Sequence, residues 1–120
     1  MTAKKKVLVL AVATSCLCLA PGAEAASTGY AKVAWVKFWV GHGLEIALEG
    51  FVNDPGATGI DCGRSTLLLP KLEEDFEQRY ALILVALTTG QQVSFAYYGC
   101  YDLNPDLHFL KAFNINVRGS

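Results

Sequence analysis

Residues 70–98 read PKLEEDFEQRYALILVALTTGQQVSFAYY, and the fold follows from how this stretch divides. Its first part predicts a helix beginning near Pro70 and ending before Gly90. Pro70 suits a first helical position, Glu73, Glu74 and Asp75 complement the positive end of the helix dipole, and Gly90 suits the residue that closes a helix. Leu72, Phe76, Tyr80, Ile83, Leu84 and Leu87 recur at three- and four-residue steps and form one apolar stripe. Ala81, Leu82, Val85 and Ala86 carry apolar character round the back, so the later turns need cover from the domain or from another subunit. After Gly90 the helical steps give way to alternation. Val93, Phe95 and Tyr97 fall on one face and Ser94, Ala96 and Tyr98 on the other, as in a strand that ends at Cys100.

Working back from Pro70, Arg64 to Leu69 offers a short strand, and Asn53-Asp54-Pro55-Gly56 is a turn in which proline pre-sets φ and Asn or Asp can bond the local backbone. Ala31 to Val40 alternates, with Val33, Trp35, Lys37 and Trp39 on one side and Ala34, Val36, Phe38 and Val40 on the other. Gly41-His42-Gly43 is a short glycine-bearing connection, and Leu44, Ile46 and Leu48 then alternate with Glu45, Ala47 and Glu49, so the two strands should form a hairpin. Working forward, 102–106 predicts a loop around Asn104-Pro105, and Leu110 to Arg118 a last strand through Phe113, Ile115 and Val117. The expected fold class is mainly β with one helix. Three strands, a helix and two strands is the order of a five-stranded OB-fold-like Greek-key barrel, with the helix between the third and fourth strands.

The chain has 120 residues, 52% hydrophobic and 18% charged, with mean hydropathy +0.32 and a formal net charge of −1. That length suits one domain, and the composition suits a packed core. Lys4, Lys5 and Lys6, the apolar run from Val7 to Ala20, and Ala23-Glu24-Ala25 together predict a secretory signal peptide over 1–25 of bacterial type, followed by a single OB-like domain over 26–120. The apolar run is short for a membrane span. Losing Lys4, Lys5, Lys6 and Glu24 turns ten basic and eleven acidic residues into seven and ten, a net charge of −3. An acidic exported domain gives no basis for a nucleic-acid partner, and no membrane span is expected after cleavage.

Such a domain keeps Cys62 and Cys100 of the four cysteines. An even pair in an oxidising compartment predicts one disulfide, closing a loop of about forty residues and contributing about 4 kcal/mol. A metal or nucleophilic role for these cysteines lacks partners, since His42 and His108 are not at ligand spacing from each other or from a cysteine. No cofactor is expected. The acidic triplet Glu73, Glu74 and Asp75 could be read as a metal or acid–base site, but sequence neighbours on a helix point in different directions and first-turn carboxylates suit the dipole.

With the residues read, Phe76 to Tyr98 resembles the helix and fourth strand of the pentameric B subunits of subtilase cytotoxin and typhoid toxin, and of related small exported proteobacterial proteins. The similarity lies in an alanine- and aromatic-bearing helix, the Thr89-Gly90-Gln91 step and a valine-led strand with paired aromatics. It implies an OB-fold, a ring with helices facing a central pore, and glycan binding on the outer side. An aromatic near the end of the fourth strand contributes to the toxins' sialoglycan pocket, and Tyr97 or Tyr98 falls in that region. The Cys62 to Cys100 bridge does not follow the toxins' pairing, and their serine-bearing N-terminal stretch has no counterpart ahead of Tyr30.

The functional expectation is an exported, non-enzymatic binding module in the periplasm or outside the cell, with a glycan or a protein as ligand and homo-oligomer formation through the helix. Tyr97, Tyr98, Tyr101, Asp102 and Asn104 are the candidate ligand-binding residues, since sugar sites combine an aromatic platform with amide, hydroxyl and carboxylate groups. The competing reading puts Tyr97 in the core and makes the others loop residues. The alternative function is a small periplasmic or secreted structural protein that binds another protein. A hydrolase finds no footing, because the sequence carries no Gly-x-Ser-x-Gly elbow and no phosphate loop.

Overall fold

The structure, a computed structural model, describes residues 25–119. The expected leader over 1–25 therefore lies, but for Ala25, outside the described residues. Eight elements follow in order: β1 (Ala26–Ser27), β2 (Ala31–Trp39), β3 (Gly43–Leu48), α1 (Pro55–Thr58), β4 (Leu67–Pro70), α2 (Phe76–Thr89), β5 (Gln92–Asn104) and β6 (Leu107–Arg118). They make a mainly β protein, as the alternation of its apolar residues predicts.

The strands form one sheet in the order β1, β5, β2, β3, β4, β6, with a further pairing of β5 to β6. The sheet has six strands where five were expected. The added one is β1, two residues too short to show any periodicity, which is held in place by tertiary bonds. It pairs Ala26 with Tyr97 and Ser27 with Ala96, and just beyond it Thr28 N–H donates to Phe95 O while Phe95 N–H donates to Thr28 Oγ1, both at 2.9 Å. With β1 counted, the long helix falls between the fourth and fifth strands, not the third and fourth, and the one-turn helix α1 precedes β4.

β2 and β3 form the expected hairpin, but the faces of β2 differ from a simple alternation. A bulge between Val33 and Trp35 shifts the register, so Val33, Val36 and Phe38 stand opposite the buried Leu48, Ile46 and Leu44. Trp35, Lys37 and Trp39 are left together on the opposite face, because one extra residue in a strand inverts every side chain beyond it. At the hairpin's close Gly43 has φ +146°, and a Cβ there would lie 2.1 Å from Leu69 O. Only glycine lets β4 run this close alongside β3, where Gly43 pairs with Pro70.

β4 is buried on both faces. Leu67 and Leu69 enter the main core, while Leu68, 0% exposed, stands between Glu45 of β3 and Lys111 of β6 on the other side of the sheet. Its partner β6 runs parallel to it, which explains an uninterrupted apolar run in a central strand. The core is completed by Val33, Ile46, Val93, Phe95, Tyr97 and Leu110 from the sheet and by Ile83 and Ala86 from α2.

The helix starts at Phe76, six residues later than predicted, because Pro70 ends β4 and 71–75 form the connection. Glu73, Glu74 and Asp75 consequently precede the helix, and Glu77 is the carboxylate in its first turn. Gly90 closes it in the left-handed region, its N–H donating to Ala86 O at 2.9 Å. At the other end of the sheet, β5 and β6 pair through Asn104 and Leu107, so the predicted 102–106 loop shrinks to a tight turn.

The connection from β3 to β4 is organised by Asn53, a buried side chain. Its Nδ2 donates to Ile60 O at 2.7 Å, and its Oδ1 accepts from Tyr97 Oη at 2.7 Å and from Thr58 Oγ1 at 3.1 Å. The disulfide between Cys62 and Cys100 ties the same connection to β5, with the Cα atoms 5.7 Å apart.

Candidate functional site

The five residues selected from sequence do not converge. Tyr97 is 1% exposed; its ring meets Phe51 edge-on, its hydroxyl donates to Asn53, and burial raises its pKa above the ordinary value. It offers no surface to a ligand. Tyr98, 48% exposed, stands edge-on to Phe113 with ring centroids 4.7 Å apart. Asn104 Oδ1 accepts the Asp106 backbone N–H at 2.9 Å and so belongs to the turn between β5 and β6. Asp102 Oδ1 accepts from His108 Nδ1 at 2.6 Å, across the register pair that joins those residues.

Tyr101 does enter a cluster. It stands opposite Phe109 in the β5–β6 ladder, one step from the Asp102–His108 pair, so the pleat turns the two pairs to opposite faces. Its hydroxyl lies 3.0 Å from His42 Nδ1, and the two rings meet edge-on at 6.0 Å. Phe109, 0% exposed but outside the main core cluster, meets the Trp39 ring at 6.1 Å. Trp39, His42, Tyr101 and Phe109 thus come together from β2, the β2–β3 turn, β5 and β6.

Charged groups frame this cluster. Trp39 Nε1 donates to Glu45 Oε1 at 2.9 Å, which gives a carboxylate buried to 5% exposure a defined partner and fixes the indole. Lys37 Nζ lies 4.1 Å from the centroid of the Trp39 ring, and the Arg64 guanidinium lies 5.2 Å from that of Phe109. The result is a small second core on the outside of the sheet, aromatic at its centre and able to donate and accept hydrogen bonds at its edge. Among the described residues no group of three or more His, Cys, Asp or Glu side chains could hold a metal.

Sequence reasoning misses Trp39 and His42; Phe109 and Glu45 are the buried groups that hold the Trp39 indole and offer no surface of their own. In the sequence Glu45 fits the outward face with Ala47 and Glu49; only its burial between Leu44 and Ile46 shows that the carboxylate needs a donor such as an indole. The long separation between His42 and Tyr101 has no local signature, since only the pairing order brings the β2–β3 turn to β5.

A different apolar surface lies on α2. Leu82 and Val85 are 46% and 51% exposed, so the later turns of the helix keep an uncovered back within a single chain. Among the described residues no helix is long and apolar enough to cross a membrane. No family model, curated protein or solved structure matches the chain.

Proposed function

We propose that the chain is an exported, non-enzymatic binding module built on an OB-type barrel, with a glycan as its ligand. The pairing order supports the barrel reading: β2, β3, β4, β6 and β5 pair in sequence, and β5 pairs back to Ala31 and Lys32 of β2. In barrels of this type oligosaccharides are taken on the outer sheet face between the first and last hairpin loops. The single observation that carries the reading is the convergence of Trp39, His42 and Tyr101 at that position, an aromatic surface bordered by hydrogen-bonding groups. Aromatic faces take the apolar face of a sugar ring, and polar side chains at the rim fix its hydroxyls. Of the residues chosen from sequence, Tyr101 keeps its place in this site, with Trp39 and His42 in place of Tyr97.

The Cys62–Cys100 disulfide is compatible with an oxidising compartment, periplasmic or extracellular. The resemblance to toxin B subunits adds assembly into a ring through α2, for which the exposed Leu82 and Val85 supply an apolar face. A glycan array probed with protein recovered from the periplasm of a bacterial host tests the reading. Binding to a defined glycan class that is lost in Trp39→Ala supports it, and a blank array overturns it. The second reading, a secreted structural protein that uses the same helix face to hold a different protein, replaces the ring if light scattering finds a monomer.

A further inference from the structure

Phe38 and Trp39 are neighbours in β2 but belong to opposite faces of the sheet, and the Phe38 side holds a groove that the proposed glycan site does not use. The groove has a volume of about 760 Å³ and lies where the end of β2, the 71–75 connection and the first turns of α2 meet. Its floor is aromatic. Phe76 and Tyr80 stack with centroids 5.8 Å apart and planes 16° from parallel, and Phe38, 46% exposed, meets Tyr80 edge-on at 6.4 Å.

Its rim is acidic. Glu73, Asp75 and Glu77 line it against a single cation, Lys71. Glu73 is 4.0 Å from Arg79 Nη1. Asp75 holds the N-cap position of α2, where an aspartate ordinarily accepts from the helix amides, yet its side chain makes no capping bond. It has φ +61°, the one non-glycine residue with positive φ among those described. That conformation costs about 1 kcal/mol or more. Among the described residues, neither the Asp75 nor the Glu77 carboxylate has a side-chain hydrogen bond or an ion pair with another residue. Two ionised acceptors are therefore presented beside stacked rings.

Ionised carboxylates only accept hydrogen bonds, so the complementary ligand must be a donor, cationic, and flat enough to lie on an aromatic face. We infer that this groove binds an arginine side chain of a peptide segment, its guanidinium stacked on the Phe76–Tyr80 floor and donating to Asp75 and Glu77. A lysine ammonium carries the charge but lacks both the planar stacking and the fork of donors. The site is independent of the glycan reading and can fail or stand without it.

The test is a titration of the isotope-labelled full chain with acetyl-Gly-Arg-Gly-amide, followed by amide chemical shifts. Matched peptides carry lysine, or citrulline, which keeps the arginine shape without its charge. The expected result is shifts confined to Phe38 and residues 71–80, with Kd in about the millimolar range. The citrulline peptide should bind at least about tenfold more weakly, and the lysine peptide should fall between the two. Asp75→Asn/Glu77→Gln removes both charges while keeping shape, and asparagine tolerates the left-handed backbone. This double variant should bind about tenfold more weakly, while Glu49→Gln, an exposed carboxylate outside the groove, should bind as the parent does. Equal binding of the citrulline or lysine peptide, shifts centred elsewhere, no shifts at all, or an unchanged Kd in the double variant would each overturn the assignment.

Discussion

Breaking the Cys62–Cys100 bridge is the perturbation whose size follows most directly from the structure. The two cysteines are separated by 38 positions. For a loop of that length the chain-entropy relation assigns about 13 cal/mol/K to the cross-link, or about 4 kcal/mol at 25 °C. A domain of this size has a total stability of about 5–15 kcal/mol, so the loss is a large part of the whole. The bridge also fastens the 49–66 connection beside β5, and Cys62 itself is buried in the core cluster. Urea unfolding followed by circular dichroism should therefore move to lower denaturant on reduction. With a slope of about 1.5 kcal/mol/M, the midpoint falls by about 2–3 M, and the thermal midpoint by roughly 15–30 °C. Cys62→Ala/Cys100→Ala should lose the same entropy contribution and about 1 kcal/mol more from the cavity at Cys62. Reduced protein that unfolds within about 1 kcal/mol of the oxidised form would refute the reasoning, because the cross-link would then be constraining a segment already held by other contacts.

Gly43→Ala should destabilise the fold by more than about 3 kcal/mol, since its Cβ would meet Leu69 O at 2.1 Å and Lys71 N at 2.9 Å; soluble yield and thermal melting check this, and a melting temperature near that of the parent would remove the case for close β3–β4 approach. Burial raises the pKa of Tyr97, so the folded state holds that proton more tightly than the unfolded state; its contribution is fully present below about pH 10 and is lost as pH rises through the folded value. Alkaline unfolding curves of the parent and Tyr97→Phe should therefore converge above pH 10, after a difference near neutrality of about 1 kcal/mol for the lost bond to Asn53. Leu82→Glu/Val85→Glu should leave the monomer's circular dichroism unchanged, because both side chains are about half exposed, and should abolish the ring mass that the proposed function predicts in light scattering of the parent; a ring that persists with both charges would exclude α2 as the contact.

Much of the candidate site was illegible in the sequence for a reason of range. Tyr97 and Tyr98 adjoin in the chain, yet one bonds to Asn53 in the core and the other stands half exposed against Phe113. Alternation puts Tyr97 on the face of Val93 and Phe95, and the competing reading that places it in the core is the one the structure bears out; the bond to Asn53 has no local signature. Tyr101 and Asp102 could not be separated until the register set Tyr101 against Phe109 and Asp102 against His108. His42 lies in a turn whose local composition predicts exposure, and its contact with Tyr101 spans 59 positions.

By itself the sequence determined the β-rich class, the β2–β3 hairpin and the long helix with its glycine stop, because each rests on local periodicity or backbone preference; it pointed to the Cys62–Cys100 pairing only through the expectation that a leader removes the other two of its four cysteines. The tertiary structure alone decided the sixth strand, the later start of α2 at Phe76 and the bulge that gathers Trp35, Lys37 and Trp39 on one face. Those outcomes depend on which distant backbone groups satisfy one another, and two residues such as Ala26 and Ser27 carry no pattern of their own from which partners as remote as Tyr97 and Ala96 could be inferred.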